Sequence, residues 1–582
     1  MNRFLALFGV ALLSGSCTGS EPAASVSPSP TELGADVALL ELAATPVDVD
    51  VELASVPEVE DVPPKPKSFC ETLGLPERPW EDGTAGTLRH ELAGEVSLTQ
   101  RDGSTWSLKE SWTGCESFVF LPDTLTKTRL DATPVWEADL GDLIAESPRN
   151  VHYVFVSMTI KDEAKTLERL GALQTRVEAL VSSLADADRD HWKTRLHVAG
   201  VSASKLGGWL PKVLSTIGQL GFGIDRFQRL RGLGGLSDVT RYSQYLKDKD
   251  EWPWEDNLAY AAHEARYFNH LAKRAAQLAE VDATSPPTIV TLFSGETLEQ
   301  FADAEVTLPS AQEMAGFDTL EVEVEMRCPK DTAPEVGNCG AWDYLAYLWL
   351  TEPGDAANPK RTQLARFITS YHRETHWVMD VSAMLAHVKD GGKRTLRWEW
   401  APEWNKQPTK TWVSLRFSNR KRGLRPVAVA PLWTGGGLGS KYNAEHAPID
   451  VPVPKSAKRV ELYAVITGHG SETSQCAEFC RHQHEFTVGG TVFLKDHPTV
   501  GQQTGCIAEI ERGMTPNQWG TWWLGRGGWC PGQQVEPYVV DVTALAPAGT
   551  TAKVSYRALV KGKEPTDGSG SIDLVSWLVF WE

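Results

Sequence analysis

The pattern of hydrophobic and polar positions changes about halfway along the chain. In the first half, leucine and valine recur at three- or four-residue steps over 167–184, which predicts an amphipathic helix. A second helix is predicted over 254–280. Two apolar runs, 118–121 and 151–156, are typical of buried strands, and the second leads directly into the first helix. The first half is therefore predicted to mix strands and helices.

The second half has the pattern of an all-β protein. Short alternating runs are separated by Gly, Pro, Asn and Asp, and no long helical period appears. The predicted strands lie at 319–326, 344–350, 412–417, 459–466 and 537–542. This pattern predicts antiparallel sandwiches of jelly-roll type.

The amino terminus has the features of an export signal. A short charged start precedes the apolar run 4–13, small residues follow, and Cys17 comes next. The run is too short to span a bilayer. The arrangement resembles the lipobox of bacterial lipoproteins, although Ser14 stands where leucine is usual, and an ordinary secretory signal is the alternative. We therefore expect a bacterial cell-envelope protein, either an outer membrane lipoprotein anchored through Cys17 or a secreted protein.

Composition sets residues 18–68 apart from the rest. This stretch is rich in Pro, Ser and Ala and carries ten carboxylates, about half of the formal charge of −19. It cannot bury enough apolar surface to fold, so it is predicted to be a disordered acidic linker. The remaining acidity offers no basic face, which argues against nucleic-acid binding.

Export makes disulfide bonds possible, and the cysteine count suits them. There are nine cysteines, and lipidation of Cys17 leaves eight. Pairing of neighbours along the chain suggests four bridges, a connectivity that the sequence does not prove: Cys70–Cys115, Cys328–Cys339, Cys476–Cys480 and Cys506–Cys530. Asp343 follows one such pair closely, and Glu478 lies within another. Two carboxylates held in place by cystines are a candidate hydrolytic pair.

Several separated motifs in the second half carry a family resemblance. They are 328–330, 338–343, 366–371, 380–382, 467–470, 476–480, 505–506 and 526–532. In order and approximate spacing they resemble the peptide-N-glycosidase F family of bacterial amidases, which remove N-linked glycans from asparagine. The resemblance spans about 287–582, implies two β-sandwich domains, and includes counterparts of the three cysteine pairs of the second half.

The resemblance also implies roles for particular residues. Asp343 matches the principal catalytic aspartate, Glu478 a second essential acid, and Arg526 an arginine near the substrate. A third acid matches either Glu399 or Glu403. The family requires no metal or cofactor. Chemically, one carboxylate can act as general base while its neighbour shifts the first one's pKa. Arg526 is expected to bind the peptide carbonyl.

Two departures from the family lie at positions near its substrate. Tyr344 stands where an arginine follows the aspartate, and His469 stands where a tryptophan occurs. We assign these two residues, with Arg526, Trp404 and Trp529, to substrate binding.

Tryptophans suit sugar binding, because their faces stack on the apolar faces of sugars. Those in polar or Gly-rich segments are expected to line a cleft: Trp404, Trp519, Trp522 and Trp523. Those in alternating strands are expected in the core: Trp342, Trp398, Trp400 and Trp577.

Two other chemistries were weighed against hydrolysis. His482, His484 and His469 invite a metal hypothesis, but no third ligand motif is recognisable, and we predict no metal site. The segment from Asp102 to Cys115 weakly resembles thioredoxin-fold redoxins without their paired active-site cysteines. A structural bridge in a degenerate domain is favoured over redox catalysis.

Together these observations predict an α/β thioredoxin-like N-terminal domain followed by two antiparallel β-sandwich (jelly-roll) domains. The expected order is a lipoprotein signal peptide (1–17), an acidic linker (18–68), the thioredoxin-like domain with a helical insertion at roughly 187–282 (69–285), and the two sandwiches (286–425 and 426–582). The predicted function is release of N-linked glycans from glycoproteins or glycopeptides by a monomer. The alternative is a glycan-binding surface lipoprotein without activity.

Overall fold

The computed structural model describes residues 67–123, 135–158, 163–218, 220–238, 255–335, 338–340, 342–352, 359–471 and 476–582. The expected signal peptide, Cys17 and nearly all of the acidic linker lie outside the described residues. Among the helices of the described part, none combines the length and the hydropathy that crossing a bilayer requires.

The first half is built on a mixed sheet surrounded by helices. Its helices are α1 (Phe69–Thr72), α2 (Leu140–Glu146), α3 (Glu163–Ser183), α4 (Asp186–Lys193), α5 (Ala203–Leu206), α6 (Leu210–Thr216) and α7 (Ala259–Thr284). Its strands are β1 (Ser97–Thr99), β2 (Thr105–Ser107), β3 (Ser117–Pro122), β4 (Val151–Val156), β5 (Leu196–Val198), β6 (Phe222–Ile224), β7 (Leu230–Gly232), β8 (Ser237–Asp238) and β9 (Glu255–Asp256). Both predicted helices and both predicted strands are confirmed.

The main sheet has the order β5-β4-β3-β6-β7. Strand β3 runs parallel to β4, β4 runs parallel to β5, and β6 and β7 form an antiparallel hairpin on the other side of β3. The prediction of a helical insertion over 187–282 is therefore wrong, because this span supplies three strands of the sheet. Each of these strands has only three residues, too few for hydrophobic alternation to reveal it.

Two four-stranded antiparallel sheets follow as the first sandwich. Its elements are β10 (Thr288–Leu298), β11 (Phe301–Ser310), α8 (Ala311–Met314), β12 (Thr319–Arg327), β13 (Leu345–Thr351), β14 (Arg361–Ile368), β15 (Thr375–Asp380), α9 (Leu385–Val388), β16 (Gly391–Glu399) and β17 (Thr409–Ser418). The sheets have the orders β10-β17-β12-β15 and β11-β16-β13-β14. Inward-facing side chains such as Val322, Leu348 and Trp398 form their shared core.

The second sandwich repeats this architecture. Its elements are β18 (Pro426–Gly437), α10 (Tyr442–Glu445), β19 (Ile449–Pro452), β20 (Arg459–His469), β21 (His482–Val488), β22 (Thr491–Asp496), β23 (Tyr538–Asp541), β24 (Thr551–Val560) and β25 (Ser571–Trp581). The sheets have the orders β18-β25-β20-β23 and β19-β24-β21-β22. All five strands predicted for the second half of the chain are confirmed.

The three parts share packed surfaces. The core of the first sandwich continues into the second through Tyr463, Val535 and Trp577. The long segment 499–535 of the second sandwich packs against the N-terminal domain, where Trp522 contacts Tyr260 on α7. The N-terminal domain therefore supports the segment that carries Arg526.

The described residues contain four disulfide bonds, and their partners are those that pairing along the chain suggested. The bonds are Cys70–Cys115, Cys328–Cys339, Cys476–Cys480 and Cys506–Cys530. Cys506–Cys530 packs against the N-terminal domain, whereas Cys328–Cys339 and Cys476–Cys480 close short loops of the two sandwiches.

Candidate active site

Asp343 lies in the loop between the Cys328–Cys339 bridge and strand β13. The backbone on either side of it is held by Thr369, whose hydroxyl donates to the Trp342 carbonyl and accepts from the Tyr344 N–H at 2.9 Å. The Asp343 side chain is 14% exposed. The carboxylate is thus fixed at the end of the first sandwich, with one side open to solvent.

Glu478 is the middle one of the three residues enclosed by Cys476–Cys480, at the end of the second sandwich. Its N–H donates to the Gly470 carbonyl at 3.2 Å, and its carbonyl accepts from the Gly527 N–H at 2.7 Å. The side chain is 18% exposed. Each sandwich therefore contributes one carboxylate to their junction.

Arg526 joins the two carboxylates. Its Nε donates to Glu478 and its Nη2 donates to Asp343, each at 3.2 Å. The other donors reach the Thr521 and Leu524 carbonyls, each at 3.0 Å, and the Thr521 hydroxyl at 3.1 Å. All five guanidinium N–H groups are thus engaged, so Arg526 has none left over for the substrate carbonyl that the sequence analysis assigned to it.

Burial gives the two carboxyl groups unusual acidities. Burial raises the pKa of Glu478 to about 7; the nearby Asp343 charge adds to the rise, and Arg526 opposes it. Burial also raises the pKa of Asp343, against the opposing effects of Arg526 and of a hydrogen bond from Tyr371. Glu478 therefore exchanges its proton near neutral pH, as general acids and bases do.

An aromatic rim lies beside Asp343. Trp342 is 46% exposed and Trp404 is 74% exposed. Tyr344 lies between them, stacked on Trp342 with ring centroids 6.2 Å apart and meeting Trp404 edge-on at 6.0 Å. Asn405 donates to the Tyr344 hydroxyl at 2.6 Å and fixes the ring. Exposed aromatic faces next to a carboxylate suit the binding of sugar rings.

Comparison with known proteins bears on the same half of the chain. A family model described as "Peptide-N-glycosidase F, C terminal" matches residues 438–579. The peptide-N(4)-(N-acetyl-beta-D-glucosaminyl)asparagine amidase F of Elizabethkingia miricola is 21% identical over 302 residues, which are 49% of this chain and 79% of the relative. The C-terminal half resembles the peptide-N-glycosidase F family.

Solved structures of such amidases each cover about half of this chain. A crystal structure of a peptide-N(4)-(N-acetyl-beta-D-glucosaminyl) asparagine amidase covers 51% of this chain and 96% of its own, at 18% identity and a TM-score of 0.40. PNGase F from Flavobacterium meningosepticum covers 50% of this chain and 95% of its own, at 18% identity and a TM-score of 0.38.

The two candidates for the family's third acid lie at different depths. Glu399 is the last residue of strand β16 and lies opposite Tyr347 of β13 in the strand register. Glu403 is exposed and begins a short 3-10 helix. Trp404 and Asn405, the two residues after Glu403, contact Tyr344, which follows Asp343 in the chain. In the part of the chain that the structure describes, neither hydrogen-bonds to Asp343.

Trp529 and His469 lie behind Arg526. Trp529 is 5% exposed, donates to the Gly468 carbonyl at 2.8 Å and packs 4.9 Å from the guanidinium carbon. His469 stacks on Trp529 with centroids 5.3 Å apart and contacts the Thr467 hydroxyl at 2.8 Å. Burial lowers the pKa of His469 to about 4, so its ring is neutral. Trp529 is therefore too buried to bind a sugar by its ring face, whereas His469 is partly exposed.

The tryptophan predictions need three corrections. Trp522 and Trp523, expected in a cleft, are 1% and 4% exposed because the N-terminal domain covers them. Trp342, expected in the core, belongs to the rim. Trp398, Trp400 and Trp577 are buried, as predicted. Trp404 and Trp519 are exposed, and their place in a cleft stays a prediction.

Tyr371 is the site residue that the sequence analysis did not assign. It is partly buried, and its hydroxyl interacts with the Asp343 carboxyl. It ends the 366–371 motif, so its place in a family motif was the available signal.

The cysteines of the N-terminal domain are enclosed. Cys70 and Cys115 are 2% and 0% exposed, and the Thr113 hydroxyl contacts both sulfurs, at 3.3 and 3.0 Å. A buried cystine without a free thiol favours the structural interpretation over redox catalysis.

Proposed function

We propose that this chain is a peptide-N-glycosidase that hydrolyses the asparagine side-chain amide of N-linked glycoproteins. The observation that carries the proposal is the pair of carboxylates, Asp343 and Glu478, that two different sandwiches bring to one arginine. The family resemblance of the C-terminal half supports the same activity. The products are an aspartate-containing peptide and a glycosylamine.

In the proposed reaction, the pair activates water. A carboxylate whose pKa lies near neutral pH is the strongest base that is still ionised there, and Glu478 meets this condition. Water gives a proton to the carboxylate pair and its oxygen attacks the side-chain amide carbon. When the carbon–nitrogen bond breaks, the proton held by the pair passes to the leaving nitrogen. One water is consumed, and no metal takes part in the step.

Arg526 is a positioning residue in this proposal. Its guanidinium fixes the separation and orientation of the two carboxylates and is itself fixed by Thr521 and Leu524. Preorganised groups of this kind do not have to reorganise during the reaction. The substrate carbonyl must then be polarised by a donor other than Arg526.

The aromatic rim is proposed to bind the sugar next to asparagine. Trp342 and Trp404 offer exposed ring faces, and Tyr344 takes the place of the family's arginine between them. An uncharged ring here changes glycan preference without removing a catalytic group. Glu403, at the same end of the sheet, is our candidate for the third acid.

Further parts of the proposal concern the rest of the chain. The N-terminal domain is proposed to have a degenerate thioredoxin-like fold, since the three parallel strands β3, β4 and β5 are followed in the chain by the antiparallel hairpin of β6 and β7. Domain limits near 285 and 425 are proposed because the helix Ala259–Thr284, the strands up to Ser418 and the strands from Pro426 belong to successive parts of the chain. We also propose export and lipid anchoring through Cys17, with the monomer acting on glycoproteins at the bacterial cell surface.

The test is mass spectrometry of a denatured N-glycoprotein incubated with the protein in heavy-oxygen water. Conversion of glycosylated asparagine to heavy-labelled aspartate by the wild type, and not by Asp343→Asn, is the expected result. Glycopeptide binding without conversion would overturn the amidase proposal in favour of the glycan-binding protein. In that case Tyr344 and His469 are the first positions to restore to the family residues.

A further inference from the structure

A histidine cluster lies in the second sandwich, and the proposed hydrolysis makes no use of it. His482 and His484 are two apart on β21, so they share a face. His497 follows β22, and the hairpin register continues to a position opposite His482. The three side chains are 0%, 0% and 4% exposed. One ring nitrogen from each lies within 4.8 Å of the others.

We propose that this histidine cluster binds one late first-row transition-metal ion, Zn²⁺ or Cu²⁺, as a structural site. Imidazole nitrogens are preferred ligands of both ions. In a tetrahedral zinc site, ligand nitrogens at about 2.0–2.1 Å from the metal are roughly 3.3 Å apart. His482 Nδ1 and His484 Nε2 are 2.9 Å apart, close to this spacing. The ion would take the place of the proton that these two nitrogens now share.

The surroundings of the rings fit ligation. His484 Nδ1 lies 2.8 Å from the Tyr556 hydroxyl, which contacts the Tyr442 hydroxyl at 3.0 Å. Histidine ligands commonly hydrogen-bond through their second nitrogen in this way, which fixes the ring. His497 Nε2 is buried and has no hydrogen-bond partner among the described residues. A buried polar atom left unpaired is costly, and coordination would remove that cost.

The position of the cluster indicates what the ion would do. A Cβ atom added at Gly468 or Gly527 would lie 2.2 or 2.3 Å from His482 Nε2, so these glycines pack directly against the ring. Gly527 follows Arg526 in the chain. The same nitrogen faces the Ala477 carbonyl without a well-formed hydrogen bond, and Ala477 precedes Glu478. An ion here would fix the backbone that carries both residues.

The sequence alone predicts no metal site, because no third ligand motif is recognisable in it. His469, the histidine that the sequence groups with His482 and His484, contacts Thr467 and Trp529 instead. His497 is brought in by the hairpin. The inference stands independently of the proposed amidase, because it rests on residues that do not touch the candidate carboxylates.

The experiment is metal analysis of the full chain without an affinity tag. The protein is stripped with a chelator, equilibrated with Zn²⁺ or, separately, Cu²⁺, and freed of excess ion. We expect close to one ion per chain by elemental mass spectrometry, and a Tm raised by about 2–4 °C or more. For Cu²⁺, electron paramagnetic resonance is expected to show coupling to imidazole nitrogens.

Variants locate the ion. His497→Gln and His484→Gln are expected to lose both the bound ion and the rise in Tm. The control is His387→Gln, which removes a partly buried histidine of the first sandwich that packs against Trp577 and does not touch the cluster. The control is expected to retain the ion.

Two results would overturn the proposal. One is a folded wild type that binds well below one ion per chain of either metal. The other is equal binding by the wild type and a folded His497→Gln protein, which would place the ion elsewhere. Because wild-type binding is measured directly, a variant that fails to fold does not weaken the test. Amidase activity is no part of the readout, so failure of the proposed function would leave it unaffected.

Discussion

Two arginines in this molecule, Arg373 and Arg526, each hold two carboxylates, yet only one of the clusters is open to solvent. Arg373 donates to Glu264 on α7 and to Glu335 in the first sandwich. The side chains of these three residues are 3%, 0% and 5% exposed. The Arg526 side chain is equally buried, but its partners are 14% and 18% exposed.

The difference shows that solvent access to the carboxylates, and not the ion pair itself, distinguishes a candidate catalytic cluster from a structural one. The Arg373 cluster joins the N-terminal domain to the first sandwich, and the guanidinium also donates to the Pro516 carbonyl at 2.6 Å. Removing one partner from such a buried cluster strongly destabilises the protein, because it leaves a buried charge uncompensated. In the Arg526 cluster, the raised pKa of Glu478 keeps a proton available near neutral pH.

Removing the charge of Asp343 is expected to have the largest effect. Asp343→Asn keeps the shape of the side chain but removes a base, so the deglycosylation rate should fall by about 10³-fold or more, roughly 4 kcal/mol in the activation barrier. The measurement is release of glycan from a denatured glycoprotein. Asp303→Asn, in a surface ion pair with Arg397, is the control and should keep full activity. Residual activity above a tenth of the wild-type rate would exclude Asp343 from the chemistry.

Breaking the Arg373 cluster should instead reduce stability. Arg373→Met leaves two buried carboxylates unpaired and is expected to lower the free energy of unfolding by about 3–5 kcal/mol. Denaturant unfolding measures the loss.

Arg397→Met provides the comparison for this stability change. It breaks an ion pair whose Asp303 carboxylate is 43% exposed, and should cost about 0–1 kcal/mol. Equal losses for the two variants would show that burial of the Arg373 cluster contributes little to stability.

Glu478 is expected to lower stability above neutral pH. Its pKa is raised on folding, from 4.5 to about 7, so the folded protein holds the proton more tightly and stability falls as pH rises between these values. Glu478→Gln removes this penalty and should stabilise the protein by about 1–3 kcal/mol at pH 8 and by much less at pH 4.5. Thermal unfolding at both pH values measures the difference.

The same group sets the expected pH dependence of activity. Since the proposed base must be ionised, kcat/KM of the wild type should rise with pH through about 7 and then level off. For the stability measurement with Glu478→Gln, the control is Glu445→Gln, which removes an exposed carboxylate on α10 and should change stability equally at both pH values. A kcat/KM that falls as pH rises through 7 would contradict the proposed role of Glu478.

The smallest expected effect concerns the rim. Trp404→Ala removes an exposed ring face and should raise KM roughly 3- to 10-fold, about 1 kcal/mol, with kcat little changed. Steady-state kinetics with a glycopeptide separates the two constants. Ile289→Ala removes an exposed apolar side chain on β10 and should change neither. A loss of kcat in Trp404→Ala would move this residue from binding to chemistry.

Local pattern predicted a large part of the fold, with failures that have physical causes. Strands such as β12 and β20 are long enough for alternation to show, and helices α3 and α7 long enough for their period to show. Strand β5 has three residues, and its place in the sheet depends on partners elsewhere. The burial of Trp522 depends on a helix from another domain, which no local pattern encodes.

The sequence by itself determined the chemistry that is available: carboxylates beside cystines, the motifs that carry the family resemblance, and the His-x-His pair of β21. Only the tertiary structure decided how these groups are used. Arg526 meets Asp343 across 183 residues of chain, and it meets both carboxylates with no donor left over. The pKa of Glu478 depends on burial and on charges that act through space. Such interactions fall off with distance in space and are indifferent to distance along the chain.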